Sequence, residues 1–316
     1  MSNTITLDSK IYIAGHNGMV GSACKRALEA KGYKNIIGFS SKEVDLRDQR
    51  VVFEMLDIEK PKAIIDAAAK VGGILANSRY PYEFLMDNML IQNNLIKAAY
   101  ELDISKFIFL GSSCIYPKMA PQPLKEEYLL TGQLEKTNQW YAIAKISGVK
   151  LIEALREQYN RDYVSLMPTN LYGPGDNYDL QTSHVLPAMV RKFHEAKENN
   201  HSDVVLWGTG TPKREFLHVD DLANAVLFTL ENQMEESLYN VGSGEEISIK
   251  ELAELIQEII GHKGNIIWDK SKPDGTPRKL MESSKLNMTG WHLSVGFKSG
   301  LELTYKRYIK DRVNNY

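Results

Sequence analysis

Over its first 170 residues the chain alternates short β-branched runs with longer amphipathic stretches. That alternation restricts it to a parallel sheet with helical crossovers, because parallel neighbours cannot be joined by a hairpin. Runs at residues 10–15, 35–40, 62–69, 106–113 and 162–169 read as strands. Segments 19–31, 82–102 and 138–159 place apolar residues at helical spacing with charges between them, as crossover helices do. The predicted class is α/β, a doubly wound parallel sheet.

After Gly173 the texture changes: Gly, Pro and Asn cluster in YGPGDNYD, and short strands at 204–207 and 265–268 stand between irregular polar stretches. A smaller C-terminal α/β lobe, with helices at 184–197, 219–231, 249–260 and 296–313, is expected to bind substrate. The organisation read from this is 1–173 for the sheet domain with the catalytic residues and 174–316 mainly for the lobe, with segments free to return to the sheet. At 43% hydrophobic and 25% charged residues, a chain of 316 buries a sizeable core without disulfide staples. Its 38 basic and 40 acidic residues leave a net charge of -2 and no excess to hold a polyanion, so a small-molecule partner is expected and neither nucleic acid nor a membrane. The opening MSNTITLDSK lacks a basic stretch followed by an apolar one, and no apolar run approaches the ~18–20 residues of a membrane span. A cytoplasmic location is expected. Two cysteines, Cys24 and Cys114, suit a reducing compartment. Neither CxxC nor HExxH occurs, and no metal site is expected.

Directly after the first predicted strand stands Gly15-His16-Asn17-Gly18-Met19-Val20-Gly21, opening the first helix. Glycines at this spacing permit a tight turn, bring backbone N–H groups up to a pyrophosphate, and let helix and strand pack closely. With a strand before it and a helix after it, the motif marks a Rossmann-type domain and places Gly15, Asn17, Gly18, Met19, Val20 and Gly21 on a dinucleotide. An acid at the end of the second strand would select a free ribose 2′-hydroxyl, but Gly38-Phe39-Ser40-Ser41-Lys42 runs without one until Glu43. Ser40, Ser41 and Lys42 suit a 2′-phosphate, which points to NADP(H); Ser40 alone reads equally as a turn residue.

A YxxxK pair occurs once, at Tyr141 and Lys145, and with sixteen tyrosines in the chain chance supplies about one such pair. Position carries the information. The pair opens the helix between the fourth and fifth predicted strands, where a four-residue spacing puts both side chains on one face. The fourth strand ends in Leu110-Gly111-Ser112-Ser113-Cys114, at the sheet edge where ligands bind in such folds. Ser112, Tyr141 and Lys145 then form a carbonyl-reducing triad: a hydroxyl on the carbonyl oxygen, a phenol to protonate it, and an ammonium beside the phenol. A phenol of pKa ~10 needs about 4 kcal/mol of preferential stabilisation of its anion to titrate near neutrality. A lysine within a few ångströms in a partly dry pocket is expected to supply much of that.

With these residues in place, the chain resembles the extended short-chain dehydrogenase/reductase family over nearly its whole length. The blocks GSSCIYPK (111–118), YAIAK (141–145), MPTNLYGP (167–174), SHVLPA (183–188), REFLHVDD (214–221) and KPDGTPRK (272–279) are similar to those of the GDP-L-fucose synthases. The resemblance implies NADPH-dependent conversion of GDP-4-keto-6-deoxy-D-mannose to GDP-L-fucose by 3,5-epimerisation and reduction at C4. It places the epimerising acid/base pair on Cys114 and His184, since the C4 ketone acidifies the protons on C3 and C5. It implies cofactor contacts from Ala69 and from Lys70 to Gly73 in the AAAKVGG segment after the third strand, and from Leu110, Gly111, Tyr141, Lys145, Pro168, Asn170, Leu171 and His184. It implies substrate contacts from Ser113, Cys114, Asn170, Lys192, Trp207, Arg214 and Glu282, cations for the diphosphate and an indole face for packing, and a homodimer formed by helices 82–102 and 138–159. From chemistry alone, Cys114 reads equally as a small buried hydrophobe and His184 as an ordinary histidine at a helix start. Trp207 reads also as lobe core, Arg214 as a structural ion pair, and Cys24 as plain core.

The chain departs from the pattern at Asn17, Phe39 and Ser41, where NADP-using fucose synthases can carry arginines, and at Lys192, where an arginine is common. A C4 reductase for a related GDP-4-keto sugar such as a 6-deoxy-heptose, acting after a separate epimerase, is the alternative reading. A nucleotide-sensing regulator on the same fold would have no need of Ser112, Tyr141 and Lys145 together. Because the second strand ends without a ribose-binding acid, the protein is expected to oxidise NADPH in preference to NADH. Side-by-side kcat/KM values check this, and a clear preference for NADH would overturn the assignment of Ser40, Ser41 and Lys42.

Overall fold

The computed structural model describes residues 4–272 and 274–314, so Pro273 of the KPDGTPRK block and the first three residues of the N-terminal segment lie outside the described residues. The first half runs β1 (Ile11–Ala14), α1 (Met19–Lys31), β2 (Ile36–Ile37), α2 (Gln49–Glu59), β3 (Ala63–Asp66), α3 (Ile74–Arg79), α4 (Pro81–Glu101), β4 (Lys106–Leu110), α5 (Gln139–Tyr159) and β5 (Asp162–Pro168). The second runs β6 (Asn170–Tyr172), α6 (Val185–Glu198), β7 (Asp203–Trp207), β8 (Lys213–His218), α7 (Val219–Glu231), β9 (Leu238–Val241), β10 (Glu246–Ser248), α8 (Ile249–Ile260), β11 (Asn265–Asp269), β12 (Arg278–Lys279), α9 (Ser284–Met288) and α10 (Phe297–Asn314).

Six parallel strands in the order β2-β1-β3-β4-β5-β9 form the main sheet. The order reverses between β1 and β3, which makes their C-terminal ends the crevice of the doubly wound fold. Strands β1, β3 and β4 are buried on both faces, hence their near-continuous apolar sequences. One face packs on α1 and α7 through Ala23, Leu28, Leu222 and Val226. The other packs on α2, α4 and α5 through Val52, Leu56, Leu95, Ile146 and Val149. A separate core of Leu186, Val190, Phe193, Leu252, Ile256 and Leu301 holds α6, α8 and α10 together with the short parallel pair β7–β11.

Among the longer helices, two differ from expectation. Helix α2, capped by Asp48 accepting the Arg50 and Val51 N–H groups, supplies the second crossover that the sequence reading did not identify. Residues 219–231, expected among the lobe helices, instead pack on α1, and the following β9 adds to the sheet beside β5. The long excursion from β5 to β9 therefore builds the lobe and then returns. Among the described residues no helix is long and apolar enough to cross a membrane.

Glu215 on β8 ties this return to the sheet. Fully buried, it accepts the Gly244 N–H on Oε1 at 2.7 Å and the Met281 N–H on Oε2 at 2.8 Å. Its carbonyl accepts from Asn170 Nδ2 at 2.8 Å, so one residue joins β6, the segment after β9 and the segment after β12. Replacing it by alanine leaves two buried N–H groups unpaired, and Glu215→Ala is expected to lose about 2–5 kcal/mol of stability. Urea unfolding checks this; Glu215→Gln, which keeps one acceptor, is expected to lose less.

Candidate active site

The glycine turn is shaped by contact. Gly15 sits at φ 76°, in the left-handed region, and a Cβ there would lie 2.8 Å from the Ala67 carbonyl oxygen. A Cβ on Gly21 would collide with the Gly15 carbonyl, so glycine at 21 is what lets α1 approach β1. Helix α1 begins at Gly18 with no side-chain cap, which leaves its first N–H groups for an anion. Exposed Asn17 flanks the turn, while Met19 and Val20 pack half-buried on the sheet core. A dinucleotide pyrophosphate fits this cradle. On its far side the segment with Ala69 is held by Asn88 of α4, which accepts the Lys70 N–H and donates to the Lys70 carbonyl.

At the end of β2, Ser40 spends its hydroxyl and its N–H on Glu43 Oε2, both at 2.7 Å. The turn reading of Ser40 is therefore what its own bonds display. Ser41 and Lys42 are exposed beside it.

Strand β4 delivers Leu110 and Gly111 to the crevice, and Ser112 caps a short 3-10 turn over Ser113–Ile115, accepting the Cys114 N–H at 3.3 Å. Tyr141 and Lys145 share one face of α5. The Lys145 ammonium donates to the Leu110 carbonyl at 2.8 Å and lies 4.6 Å from the Phe109 ring centre and 5.8 Å from that of Tyr141. The expectation of a lowered tyrosine pKa does not hold in the free protein. Burial first, then Cys114 and Asp66, push the Tyr141 phenol well above its ordinary value, which keeps it protonated as a donor must be. Burial likewise pushes Lys145 down, opposed by Asp66 and Cys114.

Cys114 is buried, and desolvation raises its thiol, with Lys279, Ser112 and Lys145 opposing. His184 stands at the N-cap of α6, pushed down by desolvation and then by Lys279. His184 as a residue is exposed to solvent, whereas Cys114 is buried. The free protein thus holds a protonated thiol and a neutral imidazole with a lone pair, the complementary states an acid/base pair needs. Lys279, which sequence reasoning missed, acts electrostatically on both. It lies opposite Arg214 in the β12–β8 register and is itself pushed down by burial. The one available signal was its place at the end of the KPDGTPRK block. Cys24, by contrast, is buried in α1 with its thiol pushed up to about 12, as a core residue is.

Trp207 is 55% exposed and so is not lobe core; the Lys192 and Lys272 ammoniums lie 5.9 and 5.6 Å from its ring centre. Lys192 also donates to the Val205 carbonyl at 2.9 Å. Arg214 is half-buried and donates to the Lys213 carbonyl, with no carboxylate in ion-pair contact among the described residues. Pro168, Asn170 and Leu171 follow β5 into β6 at the same sheet edge. Glu282 has its carboxylate on the Ser284 N–H and its carbonyl on Asn240, a clamp between segments. Among the described residues no group of His, Cys, Asp and Glu side chains has the arrangement to hold a metal ion.

Comparison with known proteins matches this geometry to a family. Residues 11–242 match the model of the NAD dependent epimerase/dehydratase family. GDP-L-fucose synthase 1 of Arabidopsis thaliana is 54% identical over 306 residues, covering 97% of this chain and 95% of its own, and GDP-L-fucose synthase of Escherichia coli (strain K12) is 48% identical over 312, covering 96% and 97%. A GDP-mannoheptose C4 reductase from Campylobacter jejuni, solved with NADP bound, superposes with a TM-score of 0.88 at 35% identity over 96% of this chain and 99% of that one. By the span of the family model and the full-length match of these relatives, the chain belongs to the NAD dependent epimerase/dehydratase family, alongside the GDP-L-fucose synthases.

Proposed function

We propose that the protein converts GDP-4-keto-6-deoxy-D-mannose to GDP-L-fucose, epimerising C3 and C5 and then reducing C4 with NADPH. The observation that carries this reading is that Cys114, next to Ser112 in the 3-10 turn, is within electrostatic reach of Tyr141, Lys145 and Lys279, and that Lys279 acts on His184 as well. A pure dehydrogenase has no need of a second acid/base pair in the reducing cleft.

Ser112 and Tyr141 donate hydrogen bonds to the C4 oxygen, which acidifies the protons on C3 and C5. Cys114 and His184 remove and return those protons as the sugar is presented between them. The glycine turn from Gly15 to Gly21 would hold NADPH, which would supply a hydride for C4. Tyr141 then gives its proton to the oxygen, and the Lys145 ammonium stabilises the phenolate left behind. Arg214, Lys192 and Lys279 suit the diphosphate, and Trp207 offers an accessible ring for the base.

The test separates the two half-reactions. Enzyme, keto sugar and oxidised cofactor in D2O are expected to place deuterium at C3 and C5, read by NMR, although no reduction can follow. Cys114→Ser is expected to suppress this exchange by about 10²-fold or more, and Tyr141→Phe to suppress reduction by about 10²–10⁴-fold while exchange continues. The likeness to a heptose C4 reductase keeps one second reading. If the wild-type protein reduces a pre-epimerised ketone but exchanges at neither carbon, a dedicated C4 reductase replaces the bifunctional enzyme.

We also read the protein as a cytoplasmic homodimer joined through α4 and α5. Tyr82, Met86 and Leu90, four residues apart on α4, and Trp140, Ile143 and Leu151 on α5 all expose large apolar side chains. Light scattering is expected to give twice the chain mass, and Leu90→Glu, which sets two carboxylates against each other in a symmetric interface, to give the monomer.

A further inference from the structure

Asp66 is a carboxylate that the proposed reaction does not use. It closes β3, an otherwise apolar strand, and is fully buried. In the β3–β4 register it stands opposite Phe109, the residue whose ring lies 4.6 Å below the Lys145 ammonium. One oxygen accepts the Ala68 N–H at 3.2 Å, while Oδ2 is buried with no hydrogen-bond partner. The Tyr12 hydroxyl on β1, which feels the charge of Asp66, is buried and unpartnered too. A half-satisfied carboxylate in the core is strongly unfavourable unless a cation compensates it. Lys145 is the cation that acts on it, although its hydrogen bond goes to the Leu110 carbonyl and the two make no direct ion pair.

We infer that Asp66 is the buried counter-charge of Lys145, a positioning residue that keeps the ammonium protonated beside Tyr141 and so extends proton donation at C4 to higher pH. The inference rests on the reduction proposed above. The other titratable groups facing this pair are Tyr12, Tyr141 and Cys114, and burial holds each of them protonated. None of the three therefore brings a negative charge at neutral pH, whereas Asp66 does. Burial pushes its carboxyl up to about 6, so the counter-charge is present above that pH and is lost as pH falls through it. Removing the anion lets burial push Lys145 further down, and it also withdraws one of the influences that raise the Tyr141 phenol. Both changes bring the alkaline loss of a protonated Tyr141–Lys145 pair to lower pH.

The experiment compares pH profiles of C4 reduction for the wild type, the isosteric Asp66→Asn, and Asp66→Leu. In both variants the alkaline limb of kcat/KM is expected to move down by about one pH unit, with kcat falling roughly tenfold near pH ~8.5, while KM for NADPH changes much less. An alkaline limb that stays in place, with or without a uniform loss of rate, overturns the inference, since a merely structural carboxylate would lower all rates alike. A second measurement needs no turnover: thermal melting near pH ~8 of Asp66→Asn, Lys145→Met and the double variant. Coupled charges make the double variant lose less than the two single losses added; additive losses overturn the pairing. Failure of the wild-type protein to reduce the ketone at all sinks the proposed function instead, and the melting cycle still decides the pair.

Discussion

Two short hydrogen bonds to one buried carboxylate hold the cleft together. Glu215 draws Gly244 and Met281, from segments that follow β9 and β12, onto a strand that pairs with β6 and so with the end of β5. Together with the β6–β8 and β8–β12 pairing, that clamp fixes the segments after β9 and β12 against the strand that carries Arg214 and faces Lys279. Converging backbone donors offset part of the cost of burying this carboxylate, which burial still pushes above its ordinary range. The active site thus depends on a structural acid that does not enter the chemistry proposed for it.

A second constraint is electrostatic. Asp66, Cys114, Tyr141, Lys145 and Lys279 share one desolvated region, and burial drives each toward its neutral form. Opposite charges partly restore the ionised forms of Lys145 and Lys279, while the phenol and the thiol keep their protons. A site arranged this way starts each proton transfer with donors loaded, and water is kept from competing.

The division of labour between the two halves follows from topology. A parallel sheet exposes its strand ends, helix N-termini and backbone donors at one edge, and these bind the parts common to any dinucleotide. The excursion between β5 and β9 carries Lys192, Trp207 and Arg214, the residues proposed to contact the sugar nucleotide.

Sequence alone determined whatever depends on local pattern. Strands β1, β3, β4 and β5, helices α1, α4, α5, α6, α7, α8 and α10, the glycine turn, and the Tyr141–Lys145 spacing were all legible, because period, turn chemistry and motif spacing are properties of neighbours in the chain. Helix α2 escaped because the sequence reading passed over its Asp48 cap, and the return of α7 and β9 to the sheet escaped because apolar periodicity marks a buried face without naming what buries it. The site divided along the same line. Ser112, Cys114, Tyr141, Lys145 and His184 stood in motifs, whereas Lys279 acquired meaning only when β12 paired with β8, and Asp66 only when β3 set it opposite Phe109 and within reach of Lys145. Tertiary structure also decided the protonation states. Sequence proximity of a lysine suggested an acidified tyrosine, but desolvation depends on everything that surrounds a group, and the folded core pushes the Tyr141 phenol the other way.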